Sequence, residues 1–143
     1  MTDSNSGGCA CGATRYTCKG KPYVSYACHC TDCQKRTGSV CGVSLQVPAN
    51  SVALDQGAPR ERQRIANSGN MVSSLFCPDC GTTVMSYSHA RTNIRVIAAG
   101  TLDDPTWVPI MAHIWTGSAV PWFHFPADVD NHPAAPDFSR YYQ

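Results

Sequence analysis

The stretch CPDCG, residues 77–81, is the sequence that decides how this 143-residue chain folds. Its two cysteines stand three positions apart, Pro78 sets the turn between them, and Gly81 follows the second cysteine. A glycine at that position can adopt a positive φ, which lets backbone N–H groups point at the sulfur atoms. Two thiols held in this way are typical of a zinc knuckle, which supplies half of a tetrahedral site.

The other half of that site is predicted in CACG, residues 9–12, where a glycine again follows the second cysteine. Neither pair completes a zinc site alone, whereas both together supply the four thiolates of a closed structural site. The sequence therefore predicts one zinc ion joining the N-terminus to the middle of the chain, with four ligands: Cys9, Cys11, Cys77 and Cys80. The alternative, a redox dithiol at CPDC, lacks the βαβ context of thioredoxin-like proteins.

A third cluster, Cys28, Cys30 and Cys33 in the sequence CHCTDC, is left without a further cysteine pair to complete it. Three protein ligands and one exchangeable position form the arrangement of catalytic zinc. The other possibility is a closed site with a histidine, for which His29 and His113 are the candidates. The spacing thus predicts a second zinc ion and leaves both kinds of fourth ligand open.

The two remaining cysteines, Cys18 and Cys41, lie in apolar strand patterns and are predicted to be small buried residues. In VCGVSLQV, residues 40–47, we expect Cys41, Val43, Leu45 and Val47 to share one core face, because strand side chains alternate. The total of nine cysteines is odd, which argues against a fully paired disulfide framework and favours metal binding.

Charge and hydropathy exclude several classes of function. The N-terminus MTDSNSGG lacks the basic and apolar segments of a signal peptide, and no apolar run approaches the ~20 residues of a membrane span. We therefore expect a cytoplasmic protein with reduced cysteines and no membrane partner. A formal net charge of +1 also argues against nucleic acid as a partner. Arg60, Arg62 and Arg64 alternate with polar residues and are interpreted as the solvated face of a strand.

Short β-branched and aromatic runs bounded by turn residues predict a mainly β fold. The predicted strands are residues 14–18, 40–47, 71–76, 83–87 and 94–100. Only residues 31–37 favour a helical turn. The proline-rich end, residues 126–143, is interpreted as a C-terminal tail that lies over the surface or frays.

The three cysteine clusters and their flanks resemble the glutathione-dependent formaldehyde-activating (Gfa) family, whose domain also occurs in centromere protein V. The matching stretches are GGCACGATRY (7–16), CHCTDCQKRTGS (28–39), SGN…FCPDCGT (68–82), GTLDDP (100–105) and HIW…PW (113–122). The resemblance implies one Gfa-like zinc-binding domain over residues 5–125, followed by the tail. It also implies small β-sheets packed around a structural zinc, the β-tent type, and a second zinc on the cysteines matching Cys28, Cys30 and Cys33.

The activity implied by the resemblance is that of a carbon–sulfur lyase, which joins glutathione and formaldehyde into S-hydroxymethylglutathione or separates them. The catalytic residues would be Cys28, Cys30 and Cys33 through their zinc, with His113 in the same pocket. Lys35 and Arg36 are candidates for binding the carboxylates of the thiol substrate. Trp115 and Trp122 are candidates for the pocket wall, and Ser74 stands where many family members carry an arginine. The alternatives are a non-catalytic zinc- and glutathione-binding carrier or a structural zinc module.

Overall fold

The computed structural model describes residues 4–142, so the first three residues of the polar N-terminus and Gln143 of the predicted tail lie outside the described residues. Over this range the chain forms one α-helix, α1 (Thr31–Thr37), and eleven strands. The strands are β1 (Ser4–Gly8), β2 (Arg15–Lys19), β3 (Val24–Cys28), β4 (Gly42–Pro48), β5 (Val52–Gln56), β6 (Arg60–Ile65), β7 (Met71–Phe76), β8 (Thr83–Ser88), β9 (Ile94–Ala98), β10 (Ala112–Ile114) and β11 (Asp130–Asn131). The mainly β fold predicted from the sequence is confirmed.

The five strands predicted from the sequence correspond to β2, β4, β7, β8 and β9, and the predicted helical turn is α1. The boundaries differ from the predicted ones by at most two residues: β4 begins at Gly42, and β9 ends at Ala98 because Ala99–Thr101 turns into a 3-10 helix. The sequence gives no comparable signal for β3, since all five of its residues, VSYAC, are buried. A strand covered on both faces loses the alternation that marks a strand in sequence.

The strands form two sheets. A small antiparallel sheet has the order β1-β2-β5, and a large sheet has the order β11-β10-β3-β4-β9-β8-β7-β6. β3 pairs with β4 in antiparallel fashion and with the distant β10 in parallel fashion. The parallel pair places Ile114 beside Cys28 and therefore brings the end of the predicted domain to the three-cysteine cluster.

Side-chain alternation gives the large sheet two different faces. Leu45 pairs with Ile97 and Ile97 with Met85, so these three apolar side chains share one face, the core face. The opposite face, here called the open face, carries the neighbouring residues of the same strands: Ser44, Gln46, Ser86 and Val96. The same strands therefore serve a core on one side and a partly polar surface on the other.

The main core lies between the core face and the small sheet, where Tyr16 and Cys18 of β2 pack in one cluster with Leu45, Val47 and Ile97. The predicted burial of Cys18 is confirmed, since it is 4% exposed. The prediction for Cys41 is wrong: it precedes β4 and is only partly buried. β4 begins two residues later than the predicted strand, so Cys41 lies in the connection between α1 and β4.

Residues 99–103 tie the small sheet to the large one. Gly7 of β1 forms an antiparallel bridge with Leu102, and the Asp103 amide donates to the Ser6 carbonyl at 2.9 Å. The Tyr16 hydroxyl lies 2.8 Å from the Thr101 hydroxyl. Close approach of β1 to this turn leaves no room for a side chain at position 7.

The segment predicted as a tail packs against the body of the fold through aromatic side chains. Its strand β11 pairs with β10 at the edge of the large sheet. Phe138 packs on Tyr26 with ring centroids 5.1 Å apart, and Tyr142 packs on Tyr23 at 4.6 Å. The guanidinium of Arg91 lies over both rings of the segment, which fixes its position on the open face.

We expect Gly7→Ala to destabilise the protein by about 1–3 kcal/mol, the usual cost of overpacking. A methyl group at this position would come 2.5 Å from the Thr101 carbonyl oxygen and would also overlap the Tyr16 hydroxyl. The measurement is the midpoint of urea unfolding. Gly100→Ala is the matched control, because no heavy atom lies within 4 Å of its added methyl group. Equal midpoints for the two variants would contradict the close approach.

Candidate metal centres and the adjoining cavity

Four cysteine sulfurs meet where the β1–β2 connection touches the β7–β8 turn. The Sγ atoms of Cys9, Cys11, Cys77 and Cys80 lie within 4.8 Å of one another. Two of the separations are 3.6 Å, from Cys9 to Cys11, and 3.8 Å, from Cys11 to Cys77. A tetrahedron with metal–sulfur distances of about 2.3 Å has edges of about 3.8 Å. The four thiols therefore have the chemistry and the spacing to hold a metal ion such as zinc.

The turns around these sulfurs have the backbone geometry predicted from the sequence. Gly12 has φ 82° and Gly81 has φ 79°, both in the left-handed region that favours glycine. The Thr14 amide donates to Cys9 Sγ at 3.2 Å, and the Ala10 amide donates to the Thr82 hydroxyl at the same distance. Backbone and side-chain donors thus surround the group and link its two halves.

Hydrogen bonds to the sulfurs favour the thiolate form of two of these cysteines. The Thr14 amide lowers the pKa of Cys9, and the Thr82 hydroxyl is the main cause that lowers the pKa of Cys80 to about 5. Thiolates, not thiols, are the form that binds metal. At Cys11 the Ala13 amide acts in the same direction, but the neighbouring thiol of Cys9 outweighs it together with burial and raises the pKa to about 12. The local structure therefore prepares Cys9 and Cys80 for a cation.

The second group, Cys28, Cys30 and Cys33, forms where β3 ends and α1 begins. Its three sulfurs lie within 4.8 Å of one another, and each residue is at most 8% exposed. Cys30 caps the helix, since its Sγ accepts from the Cys33 amide at 3.3 Å. The two-residue gap between Cys30 and Cys33 is one helical turn, so the helix start fixes this pair.

The pKa values of the three thiols are shifted in different directions. Hydrogen bonds from Cys28 and then Cys33 lower the pKa of Cys30 to about 2, while the same contact raises the pKa of Cys28. Arg36 Nη2 lies 3.5 Å from Cys33 Sγ as a donor. This buried group therefore already favours one thiolate and has a cation at its side, and a divalent cation would favour the remaining two.

His29 and His113, the candidates for a fourth ligand, form a separate buried pair. His29 Nε2 lies 2.9 Å from His113 Nδ1, and the residues are 0% and 4% exposed. Among residues 4–142, no histidine, carboxylate or further cysteine joins the three sulfurs within 4.8 Å. Burial lowers the pKa of both imidazoles, which keeps the pair neutral between the rings of Phe123 and Phe125. The described chain thus leaves the group with three protein ligands.

A cavity of about 340 Å³ lies on the open face of the large sheet, with the three sulfurs in its wall. Tyr26, Trp115 and Phe138 form an aromatic side, while serine and asparagine side chains from β8 and from residues 67–70 form a polar side. Three arginines also line it: Arg36, Arg64 and Arg91. The cavity therefore offers a small molecule both apolar walls and positive charge beside the sulfurs.

Arg64 is a functional candidate that the sequence analysis missed. The interpretation of residues 60–64 as a solvated face holds for Arg60 and Arg62, which are exposed, but is wrong for Arg64. Its side chain is only 20% exposed, and Nη1 donates to Asp32 Oδ2 at 2.9 Å. Nothing local distinguishes it from its neighbours, because its partner is 32 residues away in α1.

The other candidates from the sequence lie in different places. Trp115 is part of the cavity wall, whereas Trp122 is 65% exposed and lies outside it. Lys35 is exposed on α1 and does not line the cavity. Ser74 is buried, opposite Arg62 on β6 and Ser86 on β8, so it lies on the open face.

No helix between residues 4 and 142 has both the length and the apolar character to cross a membrane.

A family model described as glutathione-dependent formaldehyde-activating enzyme matches residues 4–118. The chain belongs to this family. The resemblance drawn from the cysteine clusters is thereby confirmed, and with it a general relation to formaldehyde activation and glutathione. A crystal structure of a Rhodobacter sphaeroides protein is similar, with a TM-score of 0.53 and 16% identity, covering 68% of this chain and 87% of that chain. At this identity the likeness shows the fold alone. No curated protein matches this chain.

We expect Cys80→Ser to leave an insoluble or unfolded protein. A structural zinc contributes ~10–16 kcal/mol of apparent binding free energy, as much as the ~5–15 kcal/mol stability of a whole domain. Cys30→Ser is the matched comparison and should remain folded, because Cys30 lies at the cavity rather than between the two sheets. The measurements are soluble yield, the unfolding midpoint and zinc content per chain.

In this comparison Cys30→Ser should lose about one zinc ion per chain. Global unfolding of Cys30→Ser with an intact Cys80→Ser would show that the roles of the two groups are reversed. A soluble Cys80→Ser protein with unchanged zinc content would show that the four sulfurs do not share one ion.

Proposed function

We propose that this protein is a zinc-dependent enzyme that forms or breaks the carbon–sulfur bond between a thiol and an aldehyde. Glutathione and formaldehyde, with S-hydroxymethylglutathione as their adduct, are the proposed reactants. The observation that carries the proposal is the buried triplet of cysteines in the wall of a cavity, without a fourth ligand within the described residues. Membership of a formaldehyde-activating family supports the same chemistry.

Two zinc ions per chain are part of the proposal. Cys9, Cys11, Cys77 and Cys80 would hold the structural ion, and Cys28, Cys30 and Cys33 the second one. Sulfur ligands at these spacings fit zinc, which is softer than magnesium or calcium. Zinc held by the triplet would lower the pKa of a bound thiol and fix the position of its sulfur.

The reaction itself needs little more than position and charge. In the forward direction the thiol loses its proton and the thiolate sulfur adds to the carbonyl carbon. A carbon–sulfur bond forms, the carbonyl π bond opens, and the oxygen takes up the proton that the thiol released. In reverse the hydroxyl loses its proton and the sulfur leaves as a thiolate. Trp115 and Phe138 exclude water from one side of the cavity, and Arg36 favours negative charge beside Cys33.

The remaining candidates act from outside the cavity. Lys35, which precedes Arg36 on α1, adds positive charge and would attract an anionic thiol. His113 is assigned a positioning role, because it contacts His29, the residue between the ligands Cys28 and Cys30. We place this reaction in the cytoplasm, where small thiols are kept reduced.

The direct test is the rate of adduct formation from formaldehyde and glutathione, measured above the uncatalysed reaction. The zinc-loaded protein should accelerate the approach to equilibrium in both directions, and Cys30→Ser should not. A protein that binds glutathione but leaves the rate at the background value would be a carrier, and the proposed enzyme would be wrong. A zinc content of one ion per folded wild-type chain would favour the structural zinc module.

Cobalt(II) in the triplet provides a second test that does not depend on turnover. The sulfur-to-cobalt charge-transfer bands grow with each additional thiolate ligand. Glutathione should therefore change the absorption spectrum in a saturable way. S-Methylglutathione, which has no free thiol, should change it little, and Cys30→Ser should show no change. An unaltered spectrum at millimolar glutathione, with cobalt bound, would mean that the substrate thiol does not reach the metal.

A further inference from the structure

Two arginines from different elements approach the cavity beside the three sulfurs and contact neighbouring residues of α1. Arg36 Nη2 donates to Cys33 Sγ at 3.5 Å, and Arg64 Nη1 donates to Asp32 Oδ2 at 2.9 Å. Arg36 comes from α1 itself and Arg64 from β6, at the far edge of the large sheet. Contacts to adjacent residues of one short helix place both guanidinium groups at the same part of the cavity wall.

Both side chains have an unused donor. The Nε atoms of Arg36 and Arg64 are buried and have no hydrogen-bond partner. A buried donor without an acceptor costs free energy, and an arginine Nε together with one Nη forms a planar fork that fits a carboxylate. Each arginine uses one terminal nitrogen for the protein and keeps Nε for another acceptor.

The other charged groups around the cavity leave this part positive. Asp32 is the acidic residue of the lining and accepts from Arg64. The third arginine, Arg91, is occupied elsewhere, since its Nη2 donates to Gln46 Oε1 at 3.0 Å and also contacts the Tyr142 hydroxyl. The three arginines of the lining therefore outnumber Asp32 and the one thiolate of the triplet, and this excess of positive charge favours an anionic ligand.

We propose that Arg36 and Arg64 form a carboxylate subsite beside the triplet, so that the site prefers thiols that carry a carboxylate. The proposal rests on the proposed function for the identity of the ligand as a thiol, but the subsite itself is defined by the two arginines. Because Arg36 contacts Cys33 Sγ directly, the subsite adjoins the three sulfurs. Arg64 is the better residue to test, because it donates to Asp32 rather than to a cysteine of the triplet.

The probes are 3-mercaptopropionate and its neutral amide, which have the same size and differ in charge. Their affinities for the cobalt-loaded protein are measured from the sulfur–cobalt absorption. 3-(Methylthio)propionate, titrated by calorimetry into the zinc protein, reports carboxylate binding without any free thiol. We expect wild-type protein to bind the acid about tenfold or more tightly than the amide, as one charge-assisted hydrogen bond allows.

Arg64→Gln should remove most of this preference by weakening the acid and leaving the affinity of the amide unchanged. Arg64→Lys keeps the positive charge but lacks the planar fork of nitrogens, so it should retain part of the preference for the acid. This partial retention would show that the loss in Arg64→Gln is not caused by a general folding defect. Arg62→Gln is the matched control, because Arg62 lies on the same face of β6 but is exposed outside the cavity. It should behave as wild type.

Equal binding of acid and amide by wild type would overturn the subsite. An unchanged preference in both Arg64 variants would overturn the role of Arg64, and a loss of affinity for acid and amide alike would show a merely structural role. The two proposals fail separately. Acid preference without accelerated adduct formation would contradict the enzyme and support the subsite, while acceleration without acid preference would do the reverse.

Discussion

The meeting of four sulfur atoms from two distant parts of the chain is the constraint on which the rest of the structure depends. Cys11 and Cys77 are separated by 66 residues, yet their sulfurs are 3.8 Å apart. This contact holds the β1–β2 connection against the β7–β8 turn, and so holds the small sheet against the large one. The apolar side chains of β2 and β4 then have each other to pack against, while the opposite face of the large sheet stays free to form a cavity.

The cavity is built by elements that are far apart in sequence, including the residues after the family match ends at 118. Trp115 of its wall has φ 55°, a left-handed conformation that is unfavourable for a bulky residue. The C-terminal segment stabilises this turn through two backbone hydrogen bonds. The Trp115 amide donates to the Ala134 carbonyl, and the Thr116 amide donates to the His132 carbonyl at 3.0 Å. The end of the chain therefore shapes the cavity twice, through Phe138 directly and through Trp115 indirectly.

Features with a local cause were predictable from the sequence. The cysteine pairs, the positive φ of Gly12 and Gly81, and the short helix after Cys30 all follow from spacing within a few residues. Features that arise from distant contacts were not. The histidine pair joins residues 84 apart, and the burial of Arg64 depends on Asp32 in another element. Cys41 was misassigned for a different reason, because alternation shows a face but does not show where the strand begins.

The large sequence separation within the four-sulfur group also bears on how the protein is made. Seven cysteines precede Cys77 in the chain and leave the ribosome before the second half of that group exists. The three cysteines of the triplet are all present by residue 33, whereas Cys9 and Cys11 must wait for Cys77 and Cys80. Long loops close slowly, so these two thiols remain open to oxidation and to wrong metals for longest. The contact between the two sheets is therefore a late event in the synthesis of the chain, because it needs the residues of the β7–β8 turn.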